Sequence, residues 1–359
     1  MSKARQLADL GNVYDDGALS NRNLLINSGM QVAQRGTSSS SAGYQTVDRF
    51  RFTSSDMDQL AFTQSQDTTG PSGFTNSYKI TVTTPETTTE AEEQLFMFQA
   101  IEAQNLQQLG YGTSDAKQLT LSFWVKSSVT GAYCVAFYQN DGNRLITSTY
   151  SISSANTWEY KTITIDGDTS GTINNDNGAG LELYFFLSVG PDRKTTDSTS
   201  WGTWTAAKFG YGQVADVAAT SSATWQITGV QLECSDTASP FEHRSYGDEL
   251  ARCQRYYNKI VGDVINTGIA NGLSQSSSTG TFVMTFPQEM RVAPSLSQAN
   301  LGMTDHTNYT SAVSGVSYGS ISKKSLRFGL TGTAVMTAYR PASVMAASVG
   351  GYLAFDAEL

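Results

Sequence analysis

A chain of 359 residues with 39% apolar and 11% aromatic side chains has material for more than one packed domain and too many core formers to be disordered. Only 15% of its residues are charged, the net charge is −9 and no basic run occurs. That balance argues against duplex nucleic acid or an anionic membrane as partner, and the Ser, Thr, Gly, Asn and Gln surface argues against a helical cytosolic enzyme.

Residues 1–20 read as a separate arm. Ala4, Leu7 and Ala8 make a short helical face, Gly11 ends it, and Asp15-Asp16-Gly17 is a turn. Two turns of helix do not hold together alone in water, so the arm must dock on something. MSKARQLADLGNVYDD lacks the apolar centre of a signal peptide, and no run reaches the ~18 apolar residues of a membrane span. Synthesis in a cytoplasm and no membrane insertion are the expectations.

Residues 21–241 show strands of period two between polar loops. Phe50 and Phe52 alternate with Arg49 and Arg51; Tyr78, Ile80 and Val82 alternate in the next strand. QLTLSFWVK has the cleanest inward face, with Leu119, Leu121, Phe123 and Val125, and Leu181, Leu183, Phe185, Leu187 and Val189 form another. A helical turn or two is expected near Ala103–Leu109. Trp158 and Tyr160 open a strand whose phase changes before Ile163 and Ile165, as at a bulge. Trp124, Trp158 and Trp225 are expected in the core. In the strand from Trp225, Val230 and Leu232 take over the apolar phase from Trp225 and Ile227.

Residues 242–261 carry the strongest helix signal. Ser245 suits the N-cap, Asp248 stands three residues on, and Leu250, Cys253, Tyr257 and Ile260 recur at helical spacing as an interdomain stripe. Residues 262–359 return to β patterning, with strands expected at Gly280–Phe286, Leu326–Leu330, Ala334–Tyr339 and Gly350–Leu359. Pro294 suits an edge strand. The fold class expected is all-β: a large jelly-roll β-sandwich plus a smaller C-terminal β domain, joined by one helix.

Two long segments carry a resemblance. GVQLE followed by SPFEHRSYGDELARCQRYY, and NRNLLINSGMQVAQRGTS at Asn21–Ser38 with YQTVDRF at Tyr44–Phe50, resemble a β-rich module of bacteriophage tail-fibre and related virion structural proteins, especially marine ones. MRVAPSLS at Met290–Ser297 resembles an element of phage fibre C-terminal domains. LTLSFWVKSS and the strand order resemble the jelly-roll carbohydrate-binding modules appended to glycoside hydrolases, at the level of fold. The resemblance implies a virion protein on the phage tail or particle surface, a homotrimer, with a virion-attachment arm at Ala4, Leu7 and Ala8. Its partners would be other virion proteins and a host-surface glycan. A capsid decoration or cement protein is the alternative, and a glycan-cleaving spike the second alternative.

The candidate sites follow from inventory. Sugar recognition uses exposed aromatic faces with amides and hydroxyls, and the richest loop is SWGTWTAAKFGYG, with Trp201, Trp204, Phe209 and Tyr211. The same rings could instead pack across the mouth of the sandwich. The two histidines, His243 and His306, lie in different domains and make no metal cluster, and His243 is expected to pin the turn before the helix. The chain has 32 acids, so carboxylate pairs such as Asp166 with Asp168, or Glu90, Glu92 and Glu93, arise by chance, and no catalytic residues are assigned. No cofactor is required. Calcium is the one ion the loops suit, at Asn140, Asp141 and Asn143 or at Asn174–Asn177, although both stretches are also turn chemistry. The odd number of cysteines argues against a disulfide framework, with Cys134 and Cys253 expected as buried thiols and Cys234 as the third.

Overall fold

The computed structural model describes Lys3 and residues 21–359 apart from 311 and 312. The arm residues Ala4, Leu7 and Ala8 lie outside the described residues. The chain divides into two compact units, the first ending at Glu249 and including Leu359, the second running from Leu250 to Glu358.

The first unit holds strands β1 (Ser38–Ser39), β2 (Arg51–Ser55), β3 (Ala61–Asp67), β4 (Ser77–Thr84), β5 (Gln94–Glu102) and β6 (Leu119–Ser127). These are followed by β7 (Gly131–Gln139), β8 (Arg144–Ile152), β9 (Glu159–Ile165), β10 (Ala179–Val189), β11 (Gly202–Thr203) and β12 (Thr224–Glu233). They form two six-stranded sheets in the orders β1-β3-β4-β12-β6-β9 and β11-β8-β7-β10-β5-β2. Between them lie Phe52, Tyr78, Leu95, Phe123, Phe137, Phe185 and Trp225, each inaccessible to solvent. Each such side chain contributes roughly 1.5–3 kcal/mol of burial. The fold is an all-β sandwich, and Ala103–Leu109 is a 3-10 helix closed by Gly110.

The apolar phases explain most of this, and bulges explain the remainder. The β6–β12 ladder shifts register between Thr228 and Gln231, which keeps Trp225, Ile227, Val230 and Leu232 all in the core. Gly229 makes the shift feasible: its φ is +61°, and a Cβ there would lie 2.6 Å from the Phe74 ring. A second shift, between Phe186 and Ser188, turns Val189 out of the core into a separate cluster with Phe186 and Phe209. The β6–β9 register, by contrast, is unbroken, so no bulge lies between Tyr160 and Ile163.

Arg49 does not alternate outward with Arg51. It is inaccessible to solvent, takes φ +71° ahead of β2, and donates to the Ala100 carbonyl at 2.7 Å.

Helix α1 spans Tyr246–Gln254 and stops there. The Ser245 hydroxyl accepts the Asp248 amide at 3.2 Å and reaches its carboxylate at 2.7 Å, which caps the first turn. Leu250 and Cys253 are helical, but Tyr257 and Ile260 lie in β13 (Tyr257–Val261). The run YYNKIV is rich in β formers, and its ladder against residues 352–356 overrides the helical spacing.

The second unit continues with β14 (Gly268–Ser274), β15 (Thr279–Thr285), β16 (Ser295–Ala299), β17 (Leu301–Thr304) and β18 (Tyr309–Thr310). It ends with β19 (Val313–Ile321), β20 (Ser325–Gly332), β21 (Pro341–Ala346) and β22 (Tyr352–Asp356). A three-stranded sheet, β13-β22-β16, and a seven-stranded one, β18-β17-β21-β14-β15-β20-β19, enclose Phe282, Met290, Phe328, Val344 and Phe355. Pro294 leads directly into edge strand β16. Ala334–Tyr339 is not a strand. Met336 is buried, while Thr337 gives its amide to the Asp305 carboxylate and Tyr339 has φ +62°, outside the extended region a ladder needs.

Candidate functional site

The first unit has a groove of about 430 Å³ along one side of the sandwich, where the edges of its two sheets meet. Residues 146–149 of β8 form one wall, 164–166 at the end of β9 the other, and Thr199, Tyr211 and Gly212 roof it. The groove exists because the second sheet is cut short here. β11 pairs only with Leu145 and Arg144, so beyond them β8, paired with β7 on its other side, has no strand on this edge among the described residues. Ser198 instead takes the Thr147 amide at 2.7 Å and its hydroxyl at 2.6 Å.

The roof is fixed at three points. Trp201 Nε1 donates to the Asp166 carbonyl at 2.7 Å, and its ring meets Tyr111 edge-on at 5.8 Å. Gly212, at φ +87°, lets the loop run against β8, because a Cβ there would lie 2.5 Å from the Thr149 methyl. Gln213 accepts the Cys134 amide at 2.6 Å and donates to the Ala215 carbonyl at 2.6 Å.

The lining is one aromatic ring, Tyr211, one carboxylate, Asp166, several hydroxyls and the edges of Ile146 and Ile165. Asp166 accepts from the Gln118 amide at 2.8 Å. Hydroxyls, one carboxylate and one ring face are groups that bond and stack on a polyol. Among the lining residues no second carboxylate stands opposite Asp166, whereas glycoside hydrolysis uses two, roughly 5–9.5 Å apart.

Of the four rings expected to gather in this loop, the structure separates three ways. Trp204 and Phe209 come together, centroids 6.0 Å apart, and cover the outer face of the second sheet with Phe96, Phe98, Tyr184 and Phe186. Trp201 holds the roof, and Tyr211 alone lines the groove.

A second aromatic surface was hidden from sequence reasoning. Trp124 and Trp158 are not core residues. Trp124 stacks obliquely on Tyr160 at 5.3 Å on the outer face of the first sheet, and Tyr160 is 46% exposed. Lys126 lies over Trp158 at 5.0 Å, and burial holds its amine below the ordinary lysine value. Tyr160 stands four residues from Thr164 on β9, about 13 Å along the strand, so one edge strand joins these rings to the groove. The signal was available: Tyr160 is in antiphase with Ile163 and Ile165.

The other expected residues have hydrogen-bonding or packing partners within the fold. Asp168 is almost inaccessible and is held by Arg144 through two hydrogen bonds. Asp141 accepts from both the backbone and side-chain nitrogens of Asn174, at 2.9 and 2.8 Å, so the two loops suited to calcium meet by hydrogen bonding. Asn140 donates to Glu182, and Asn143 accepts from Tyr138. The loop acids are not equivalent either. Burial raises the Glu93 carboxyl against the opposing Glu90 amide, and Glu86, Glu90 and Asp58 add repulsion. Cys134 is a buried free thiol, and Cys253 is buried on the helix.

His243 does not pin the turn before the helix; its ring packs against Phe74 and Phe241, at 5.3 and 4.8 Å. The pins are its neighbours. Glu242 accepts the Asn21 and Asn23 amides at 2.8 Å each. Arg244 donates to the Leu25 and Asn23 carbonyls and to Glu249, which in turn accepts the Asn27 amide. Asn23 also bridges to β12, donating to the Val230 carbonyl and accepting the Leu232 amide. The two segments that carried the resemblance are therefore partners in space.

No family model matches the chain, and no curated protein matches it significantly. Among solved structures it is similar to the enzymatically active domain of bacteriophage CBA120 tailspike protein 4, at 14% identity and a TM-score of 0.33, over 59% of this chain and 21% of that one. The chain thus spans about a fifth of that tailspike domain's length. It is also similar to a putative sugar-binding protein of Bacteroides thetaiotaomicron, at 13% identity and TM-score 0.30 over 59% and 100% of the two chains. A family 11 carbohydrate-binding module of a Clostridium thermocellum cellulase gives 13% and 0.28 over 58% and 98%. Likenesses this distant assign neither ligand nor activity.

Proposed function

We propose that this chain is a non-enzymatic glycan-binding component of a phage virion, of the tail-fibre or receptor-binding type, acting at the host surface. The observation that carries the binding reading is the groove at the sandwich edge: a ring, a single carboxylate and hydroxyls, with the Trp124–Tyr160 pair farther along the same strand. The virion attribution rests on the sequence segments at Asn21–Phe50 and Gly229–Tyr257. In this reading Tyr211 stacks on a sugar ring, Asp166 and the hydroxyls of Ser148 and Thr149 take its hydroxyls, and the chemistry ends at binding. The spike alternative is disfavoured by the lone carboxylate.

The test is a glycan array probed with the full-length protein and with Tyr211→Ala. Selective binding lost in the variant supports the reading. Absence of selective binding, together with particle imaging that places the chain between capsid subunits, would replace it with the cement role.

A further inference from the structure

The second unit has its own groove, unrelated to the first. It measures about 250 Å³ and lies on β15, β19 and β20, lined by Gln275, Thr281, Ser317, Arg327 and Thr331 among others. Among the described residues, no Asp or Glu lines it. Its openness depends on missing side chains: a Cβ at Gly319 would stand 2.9 Å from Arg327 Nε, and one at Gly329 would stand 2.4 Å from the Ser317 hydroxyl.

The charge distribution points the same way. Residues 250–358 carry eight Lys and Arg against five Asp and Glu, a formal +3, while the remainder of the chain carries −12. A guanidinium in a carboxylate-free groove, on the cationic part of an acidic chain, selects an anion. Arg presents a planar fork that fits a carboxylate through two parallel bonds. The surrounding hydroxyls and the Gln275 amide suit a polyol carrying that carboxylate, and the volume, below the ~300–1,000 Å³ of drug-sized pockets, suits a single sugar residue.

We infer that this groove binds an acidic sugar residue of a glycan chain, its carboxylate on Arg327 and its hydroxyls on Thr281, Ser317, Thr331 and Gln275. The inference is independent of the first-unit groove.

The experiment measures binding of the full-length protein to trigalacturonate by calorimetry at low and physiological salt. Galactotriose and tetraglutamate serve as the neutral-sugar and anionic non-sugar probes. Arg327→Gln should weaken trigalacturonate binding ~10-fold or more, the effect of losing a charge-assisted pair, and Arg327→Lys should recover part of it. Lys324→Gln removes a nearby exposed charge paired at 3.5 Å with Glu289, and should leave the affinity unchanged. Tyr211→Ala is measured beside it: a loss of trigalacturonate binding there with none in Arg327→Gln places the sugar in the first-unit groove and overturns the inference, so failure of the first-unit site and failure of this one are read separately. The inference is overturned if trigalacturonate does not bind, if Arg327→Gln binds it as well as the parent, if Lys324→Gln costs as much, or if tetraglutamate binds equally tightly.

Discussion

Arg244 keeps its guanidinium on four acceptors, two carbonyls of the N-terminal segment and the carboxylates of Glu242 and Glu249, with its side chain 8% exposed. Removing it strands Glu249, equally buried, without its counter-charge. Arg244→Ala is expected to destabilise the fold by ~3–5 kcal/mol, read from urea denaturation, and a loss under ~1 kcal/mol would contradict this account. Two acids titrate in opposite senses. Burial works against ionised Glu242, but the Asn23 amide, the Arg244 charge and the Asn21 amide hold its carboxyl below the ordinary value. Its contribution is therefore fully present above the unfolded pKa of ~4.3 and is lost as pH falls through the lowered folded value. Glu93 is raised, so its contribution is present below ~4.3 and is lost as pH rises through the raised value. Glu242→Gln should therefore cost stability at pH 7, and Glu93→Gln should add it; denaturation midpoints at pH 7 and pH 3.5 check both signs, and each effect should shrink at the lower pH. The PFEHR motif was plain in the sequence, but which of its residues hold the turn was not, because bond direction depends on partners between Asn21 and Asn27, at the far end of the unit's sequence.

At the scale of elements, the bulge in β12 decides which four side chains reach the core. Gly229→Ala places a methyl against Phe74 in a left-handed backbone, and should cost at least the ~1–2 kcal/mol of that conformation. If its urea midpoint matches the parent, the bulge is not held as described. The apolar phase change from Ile227 to Val230 is the sequence signature of this bulge. A similar change after Tyr160 marks none, because there the ring simply faces outward onto Trp124. Periodicity says which side chains share a face, and a break in it has two physical causes that only pairing separates. The helix shows the same limit. Its N-cap was legible in Ser245 and Asp248, since capping is local, whereas its end at Gln254 depends on a ladder with residues 352–356 that no local pattern contains. The loop aromatics were legible as a group but not by destination, since Trp201, Trp204 and Tyr211 are sorted by Asp166, Phe209 and β8, contacts that ring content alone does not specify.

For the whole molecule, the first-unit groove bounds how the protein works. One ring, one carboxylate and a few hydroxyls on an open groove give a small contact with a solvated sugar, and small polar ligands return little free energy per atom once ordering is subtracted. Under the proposed role, a single copy should therefore bind its glycan weakly, and attachment to a host surface would come from several copies acting together. Linked sites raise apparent affinity by ~10²–10⁴ without a new contact. The expected outcome is that protein displayed in several copies on a bead or nanoparticle holds a glycan-coated surface ~10²-fold or more longer than the free protein does, and that Tyr211→Ala removes the gain along with the single-copy binding. Surface plasmon resonance at matched subunit concentrations measures both. If clustering brings no gain while the free protein already binds tightly, the groove is a high-affinity site of another kind. The host-attachment role, which depends on weak contacts multiplied, would then give way.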